Sequence, residues 1–204
     1  MKRLLVLVAL TVVTLPAFAG TGTILVFGDS ISAGFGLAAP DKGWVALLQT
    51  KLQTEGYGYR VINASVSGET TAGGLARLPR ALSLHHPAIV VLELGANDGL
   101  RALPIASMRT NLQQMVSLAR AAGAMVLLLG MRIPPNYGPG YTEQFYSVFK
   151  QVAGELRLRL VPFLLQDVAL SAALMQADGN HPNELGQPYL LKNIWPALEP
   201  MLQK

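Results

Sequence analysis

TILVFGDSIS, at residues 23–32, is the stretch of this sequence that decides the fold. Its first five residues are apolar or β-branched, which is typical of a buried strand. The run stops at Gly28-Asp29-Ser30, so a serine hydroxyl follows the carboxyl end of the predicted strand. In open parallel α/β sheets, ligands bind at that end of the strands. We therefore interpret Ser30 as a candidate nucleophile.

Similar apolar runs recur along the chain and alternate with helical patterns. Further strands are predicted at residues 59–62, 88–94, 124–129 and 158–161. Helices are predicted at residues 44–55, 71–84, 104–122 and 142–156, and from just after Pro182 to the C-terminus. This order implies a five-stranded parallel sheet with helices on both faces, and right-handed crossovers then give a three-layer α/β/α sandwich.

Prolines and glycines modify this pattern at three places. Pro79 is predicted to start a second short helix, because the first turn of a helix does not need its N–H. Pro188 and Pro196 are predicted to bend or break the last helix. The segment 131–140 contains three prolines and two glycines, so we expect it to be irregular.

The N-terminus reads differently from the rest of the chain. Two basic residues precede an apolar run at 4–15 and the triplet AFA, which has the small-x-small form of a cleavage site. We predict a signal peptide at residues 1–19, cleaved near Ala19, and a single domain at 20–204 in the periplasm or the medium. The alternative, an uncleaved membrane anchor, is disfavoured because the apolar run is short for a membrane span.

Charge and composition argue against several classes of function. The formal net charge is +4, and no basic run indicates a nucleic-acid partner. The chain contains no cysteine, which excludes a disulfide framework and a cysteine nucleophile. Neither a Walker A loop nor a G-x-G-x-x-G dinucleotide loop occurs, and three histidines without cysteine do not suggest a zinc centre. We expect no cofactor and no metal.

A nucleophilic serine needs a base and a group that orients the base. His85 and His86 end a predicted helix, where a capping or solvent-exposed role is the simpler interpretation. His181 differs, because Asp178 precedes it by three residues, and a tight turn with this spacing lets the carboxylate reach Nδ1. Nε2 is then free to face Ser30. The alternative is that Asp178 and His181 cap the helix predicted after Pro182.

The tetrahedral intermediate also needs hydrogen-bond donors for its oxyanion. Gly68 follows the second strand, and its backbone N–H can approach a ligand because no side chain intervenes. Asn97 follows the third strand and can offer its side-chain amide. Each of these tetrapeptides alone could be an ordinary turn. Together with Ser30 and His181, however, they converge on one edge of the sheet.

Two further positions affect the interpretation. Residue 32 is Ser rather than Gly, so the sequence lacks the G-x-S-x-G nucleophile elbow of the α/β-hydrolases. Glu93 lies inside an otherwise apolar predicted strand. We assign it no catalytic role, which leaves a structural hydrogen-bond acceptor as its interpretation.

These blocks resemble those of the SGNH (GDSL-type) hydrolases. The nucleophile block is GDSI at residues 28–31, the glycine block contains Gly68, the G-x-N-D block is GAND at residues 95–98, and the D-x-x-H block is DGNH at residues 178–181. They occur in the family's order and cover the chain after the predicted signal peptide. The longer stretches at 63–74 and 134–138 are similar to the secreted bacterial branch of thioesterase, lysophospholipase and arylesterase enzymes.

The resemblance implies a flavodoxin-like sheet, a triad of Ser30, His181 and Asp178, and no cofactor. The oxyanion would be held by the backbone N–H groups of Ser30 and Gly68 and by the Asn97 side chain. The segment 131–141 would border the acyl-binding groove, with the substrate-binding residues Met131, Ile133, Pro134 and Tyr137.

The function that follows is hydrolysis of small acyl esters or thioesters by a monomer without a stable membrane anchor. Two alternatives remain open. One is a carbohydrate O-acetyl esterase on the same fold, and the other is a non-catalytic secreted binding module.

Overall fold

The computed structural model describes residues 22–204, so the predicted signal peptide lies outside the described residues. Its centre is a parallel five-stranded sheet in the order β2-β1-β3-β4-β5. The strands are β1 (Thr23–Gly28), β2 (Arg60–Asn63), β3 (Ile89–Glu93), β4 (Met125–Leu129) and β5 (Arg159–Val161). The predicted α/β fold with a parallel sheet is confirmed.

Helices cover both faces of the sheet. They are α1 (Ser30–Ala33), α2 (Trp44–Thr54), α3 (Thr71–His85), α4 (Ala96–Leu100), α5 (Ile105–Ala121), α6 (Pro139–Leu156) and α7 (Gln187–Leu198). Helices α3, α5 and α6 pack side by side on one face, and α2 packs against α7 on the other. Short 3₁₀ turns lie at Pro40–Lys42, Pro135–Tyr137 and Glu199–Met201. No helix within residues 22–204 is long and apolar enough to cross a membrane.

The central strands β1 and β3 are buried on both faces of the sheet. Residues 24–27 of β1 are completely buried, and every residue of β3 is buried. Strands buried on both faces of a parallel sheet read as continuous apolar runs. In the β1–β3 pairing Gly28 lies opposite Glu93, so the two strands end at the same level. The segments that follow β1 and β3 therefore begin next to each other.

Three helix predictions differ from the structure. Pro79 does not start a new helix but lies inside the continuous α3. The lost backbone hydrogen bond is tolerated because Leu78 and Leu82, on either side of it, are buried in the core. Helix α7 begins at Gln187 rather than just after Pro182, and it continues through Pro196. Helix α6 begins at Pro139, inside the segment expected to be irregular, since proline is favourable in a first turn.

Candidate active site

Ser30 is placed by the abrupt change from strand β1 to helix α1. Asp29 is the N-cap residue of α1, and its Oδ1 accepts a hydrogen bond from the Ile31 N–H at 3.0 Å. Ser30 is the first residue of the helix. Among the described residues its backbone N–H has no acceptor, so that donor is available to a ligand.

The Ser30 hydroxyl, the His181 imidazole and the Asp178 carboxylate form a continuous hydrogen-bonded row. Ser30 Oγ lies 2.8 Å from His181 Nε2, and His181 Nδ1 lies 2.7 Å from Asp178 Oδ2. Because Nδ1 faces a carboxylate, the ring is in the orientation that leaves Nε2 to accept the serine proton.

Asp178 is held by its own turn. Its Oδ1 accepts hydrogen bonds from the backbone N–H groups of Asn180 at 2.9 Å and of His181 at 3.1 Å. Desolvation alone would raise its pKa, but the hydrogen bonds from the His181 ring and from these two N–H groups hold the pKa of Asp178 below its ordinary value. The carboxylate is thus kept ionised next to the imidazole. No helix begins at Pro182, so the capping alternative is wrong.

The predicted oxyanion donors lie around the same cavity as Ser30. Gly68 has a positive φ of 78°, which glycine adopts without steric cost, and among the described residues its backbone N–H has no acceptor. The guanidinium of Arg101 donates to the Gly68 carbonyl at 2.8 Å and holds the peptide that follows Gly68. Asn97 Nδ2 donates to Asp29 Oδ2 at 3.2 Å, which leaves its second hydrogen for a ligand.

Asp98 joins the glycine block to the G-x-N-D block. Its carboxylate accepts from the Thr71 N–H at 2.8 Å and from the Thr71 hydroxyl at 2.5 Å. Asn111 on α5 donates to the same hydroxyl at 3.0 Å. Because Asp98 is 3% exposed, these bonds are shielded from water and hold the start of α3 against α4.

Glu93 lies directly beneath the nucleophile segment and is completely buried. Its Oε2 accepts from the Asp29 N–H at 3.2 Å and from the Ser32 hydroxyl at 2.7 Å, so it bonds residues on both sides of Ser30. Burial, and then the nearby Asp29 carboxylate, raise the pKa of Glu93 well above its ordinary value. Burial also raises the pKa of Asp29 to about 6, although several hydrogen bonds act in the opposite direction. The structural role considered for Glu93 agrees with these contacts.

A cavity of about 1200 Å³ opens beside the Ser30 hydroxyl. Met131, Ile133 and Pro134 line it, as the sequence predicted. Tyr137 is not among the lining residues, and its hydroxyl donates to the Leu100 carbonyl at 2.7 Å. The predicted contact of Tyr137 with substrate stays a prediction.

Several lining residues were not anticipated from the sequence. Phe35 places its ring 4.7 Å from the His181 ring, between centroids, and Leu170 is fully exposed beside the cavity. The Arg132 guanidinium lies 4.0 Å from the centre of the Tyr146 ring. None of these residues belongs to a recognisable motif, and Phe35, Arg132 and Leu170 lie on loops that sequence periodicity does not describe.

A serine–histidine–aspartate row at the carboxyl edge of a parallel α/β sheet defines a serine hydrolase of the flavodoxin-like type. The family model described as the GDSL-like lipase/acylhydrolase family matches residues 26–188. The chain belongs to this family, and it is an enzyme that acts on ester bonds.

Two relatives that resemble the chain over most of its length are named as an esterase and as a thioesterase/protease/lysophospholipase. It is 54% identical to "Esterase TesA" of Pseudomonas aeruginosa over 99% of this chain and 100% of that protein. It is 40% identical to "Thioesterase 1/protease 1/lysophospholipase L1" of Escherichia coli K12 over 90% of this chain and 86% of that protein.

Solved structures agree with the fold. A crystal structure of TesA superposes with a TM-score of 0.86 at 56% identity, covering 88% of this chain and 99% of that one. The psychrotrophic esterase EstA from Pseudoalteromonas sp., in a structure inhibited by monoethylphosphonate, superposes with a TM-score of 0.83 at 43% identity. It covers 88% of this chain and 97% of that one.

Proposed function

We propose that the chain is an exported hydrolase that cleaves carboxylic esters and acyl thioesters through a covalent acyl-enzyme. The observation that carries this proposal is the unbroken row of hydrogen bonds from Ser30 Oγ through the His181 ring to Asp178, with distances of 2.8 and 2.7 Å. Both are hydrogen-bond distances, and the first lies within the range needed for proton transfer from Ser30 to His181.

In the first half-reaction His181 Nε2 removes the proton of Ser30 Oγ as the oxygen attacks the acyl carbon. The negative charge that develops on the carbonyl oxygen is stabilised by the backbone N–H groups of Ser30 and Gly68 and by the Asn97 amide. His181 then gives its proton to the departing alcohol or thiol, which leaves an ester of Ser30. Asp178 stabilises the imidazolium that forms in between.

In the second half-reaction water replaces the leaving group. His181 removes a proton from the water molecule, the hydroxide oxygen attacks the acyl carbon, and the same donors hold the oxyanion. Collapse of this intermediate returns the proton to Ser30 Oγ and releases the carboxylic acid. No cofactor is needed at any step, because the chain supplies the nucleophile, the base and the donors.

The walls of the cavity favour an acyl chain as the substrate group. Phe35 and Leu170 present exposed apolar side chains around the same cavity as Ser30, and the largely buried Met131 and Ile133 form part of its lining. The names of the relatives, which include an arylesterase of Vibrio mimicus at 42% identity, support aryl esters and thioesters as the first substrates to test. Each methylene group in such a pocket changes specificity by only about 1–3 kcal/mol, so we expect several chain lengths to be accepted.

Export is supported by the sequence at residues 1–19. The basic start, the apolar run and the small-x-small triplet form a signal peptide that is removed near Ala19. The enzyme is then residues 20–204, acting outside the cytoplasm. N-terminal sequencing of protein recovered from a periplasmic extract tests this assignment, and an intact Met1 on that protein would contradict it.

The catalytic assignment is tested with purified protein and a panel of p-nitrophenyl esters and acyl thioesters. Ser30→Ala removes the nucleophile, so we expect turnover and covalent labelling by a fluorophosphonate to be abolished while the protein stays folded. Ser117→Ala changes an exposed serine on α5 and is the matched control. Turnover by Ser30→Ala at the wild-type rate would contradict the proposal. The panel also includes an acetylated sugar, and preferential hydrolysis of that substrate would indicate the alternative, a carbohydrate O-acetyl esterase.

A further inference from the structure

The loop that carries the base contains little regular structure. Residues 162–186 connect β5 to α7, and apart from an isolated bridge between Met175 and Pro182 they form turns without a helix or strand. This loop has to hold His181 within hydrogen-bond distance of a serine on a different segment of the chain. Backbone hydrogen bonds to a neighbouring strand do not provide that precision here.

Gln176 organises the part of the loop that contains the base. Its backbone N–H donates to the His181 carbonyl at 2.8 Å, and its carbonyl accepts from the Gly179 N–H at 3.0 Å. Its side-chain amide Nε2 donates to the Pro182 carbonyl at 3.1 Å. These three bonds close the turn around Asp178 and His181.

The same amide also reaches the nucleophile segment. Gln176 Nε2 donates to the Phe35 carbonyl at 2.7 Å, and the Phe35 N–H donates to the Ser30 carbonyl at 3.0 Å. Among the described residues, only two hydrogen bonds join the loop 162–186 to residues 22–43. One is the bond between His181 and Ser30 themselves, so Gln176 provides the one that does not involve the reacting atoms.

Phe35 contacts the loop through its ring as well as its carbonyl. The ring lies 4.7 Å from the His181 imidazole, between centroids, at an interplanar angle of 43°. Gly36 leaves space for the amide, because a Cβ at that position would lie 2.1 Å from Gln176 Oε1. The backbone there has φ of +74°, which disfavours any residue other than glycine.

We propose that Gln176 and Phe35 form a latch that sets the separation between Ser30 Oγ and His181 Nε2. This inference rests on the proposed function and adds two positioning residues to it. Proton transfer requires the two heavy atoms to be about 2.6–3.2 Å apart. A displacement of about 1 Å costs on the order of 100-fold in rate. Opening the latch at Gln176, which does not line the cavity, therefore lowers kcat without changing the acyl-binding walls.

The test begins with Gln176→Met, which keeps the length of the side chain and removes both amide hydrogen bonds. We expect kcat to fall about 10- to 100-fold, with KM within about twofold of the wild-type value, because only the alignment of the base changes. The rate of fluorophosphonate labelling should fall by the same factor. Gln151→Met, at an exposed position on α6, is the matched control.

Phe35 gives a second, independent variant. Phe35→Leu keeps the carbonyl that accepts from Gln176 and removes the ring that packs on His181, so we expect a smaller fall in kcat. Phe35→Tyr keeps the ring, so we expect a smaller fall in kcat than in Phe35→Leu. Circular dichroism and thermal unfolding confirm that each variant is folded under the assay conditions.

Each result decides for or against the latch. A lower melting temperature with unchanged kcat in Gln176→Met would show a merely structural role and overturn the proposal. A raised KM with unchanged kcat would do the same, because it indicates a contact with substrate instead.

If the wild-type protein neither hydrolyses an ester nor reacts with the fluorophosphonate, the proposed function fails rather than the latch. The latch is then judged from the nuclear Overhauser effect between the Phe35 and His181 rings, whose centroids lie 4.7 Å apart and which belong to the two segments that the latch joins. Loss of that effect in Gln176→Met supports the latch, and an unchanged effect overturns it.

Discussion

Gly28 and Glu93 are paired across strands β1 and β3, and a Cβ on Gly28 would lie 2.4 Å from Glu93 Oε2. The glycine that precedes the nucleophile therefore makes room for a buried carboxyl group. That carboxyl group in turn bonds the Asp29 N–H and the Ser32 hydroxyl. The first glycine of the nucleophile block is thus required by packing as much as by the turn.

Gly28→Ala is expected to destabilise the protein. The added methyl group would also lie 2.9 Å from the Glu93 carbonyl and from Ser32 Oγ, so the strand or the carboxyl group must move. Overpacking of this kind costs about 1–3 kcal/mol in the free energy of unfolding, which urea denaturation measures. Gly154→Ala is the control, because nothing lies within 4 Å of its Cβ and the residue is helical. Equal stability of the two variants would contradict this account.

Glu93→Gln is expected to flatten the dependence of stability on pH. The folded protein holds the Glu93 proton more tightly than the unfolded chain, whose glutamates titrate near the ordinary value of 4.5. This stabilisation is complete below that value and is lost as pH rises through the raised pKa. The wild-type free energy of unfolding should fall above pH 4.5 by at most about 1.4 kcal/mol per pH unit for this group.

The measurement is urea denaturation of wild type and Glu93→Gln at a series of pH values. Burial also raises the pKa of Asp29, from 3.8 to about 6, so the free energy of unfolding falls as pH rises between these two values. This contribution of Asp29 remains in the variant. Glu184→Gln, at an exposed glutamate, should reproduce the wild-type curve. Parallel curves for wild type and Glu93→Gln would show that Glu93 does not retain its proton on folding.

Asp178→Asn is expected to reduce kcat by a factor on the order of 10⁴, because an amide facing Nδ1 stabilises the wrong tautomer of the base. KM should change little, since the carboxylate contacts the ring of His181 rather than the substrate cavity. Steady-state kinetics on an aryl ester provide the measurement. Asp41→Asn changes an exposed carboxylate in a 3₁₀ turn and should leave kcat unchanged. A loss below tenfold in Asp178→Asn would remove Asp178 from the triad.

Asn97→Ala is expected to lower kcat about 10²- to 10³-fold, as the removal of one oxyanion donor does in other hydrolases. The variant also loses the bond from Asn97 Nδ2 to Asp29 Oδ2, so its thermal stability should be recorded beside its kinetics. Asn136→Ala, at an exposed position, is the control. If kcat is unchanged and only KM rises, Asn97 binds the ground state and is not an oxyanion donor.

The parts of the fold that depend on continuous burial were predictable from the sequence. Strands β1 and β3 are apolar on both faces, and their predicted limits lie within one residue of the observed ones. The start of α7 was placed too early because the turn at 182–186 contains no signal that separates it from a first helical turn. The prediction that Pro79 starts a new helix was wrong for a different reason. Tertiary packing of α3 outweighs the local cost of a proline inside the helix.

Within the candidate site, contacts between residues close in sequence could be predicted, whereas contacts between distant segments could not. Asp178 and His181 are three residues apart, so their contact could be inferred from a turn. The contacts of Glu93 and Gln176 join segments 61 and 141 residues apart, and no local pattern encodes them. Tyr137 was assigned to the groove from the family resemblance, whereas its hydroxyl donates to a carbonyl of α4, a contact 37 residues away in sequence.

The acid and the base of the triad lie in one tight turn, and this affects how the enzyme responds to disturbance. Because Asp178 and His181 move together, a displacement of the loop leaves their 2.7 Å contact intact and changes a single separation, that to Ser30. Mild heating or a low concentration of denaturant should therefore inactivate the enzyme reversibly before the protein unfolds. If the turn that carries Asp178 and His181 were grafted onto another protein, only the distance from His181 Nε2 to the serine would have to be set again.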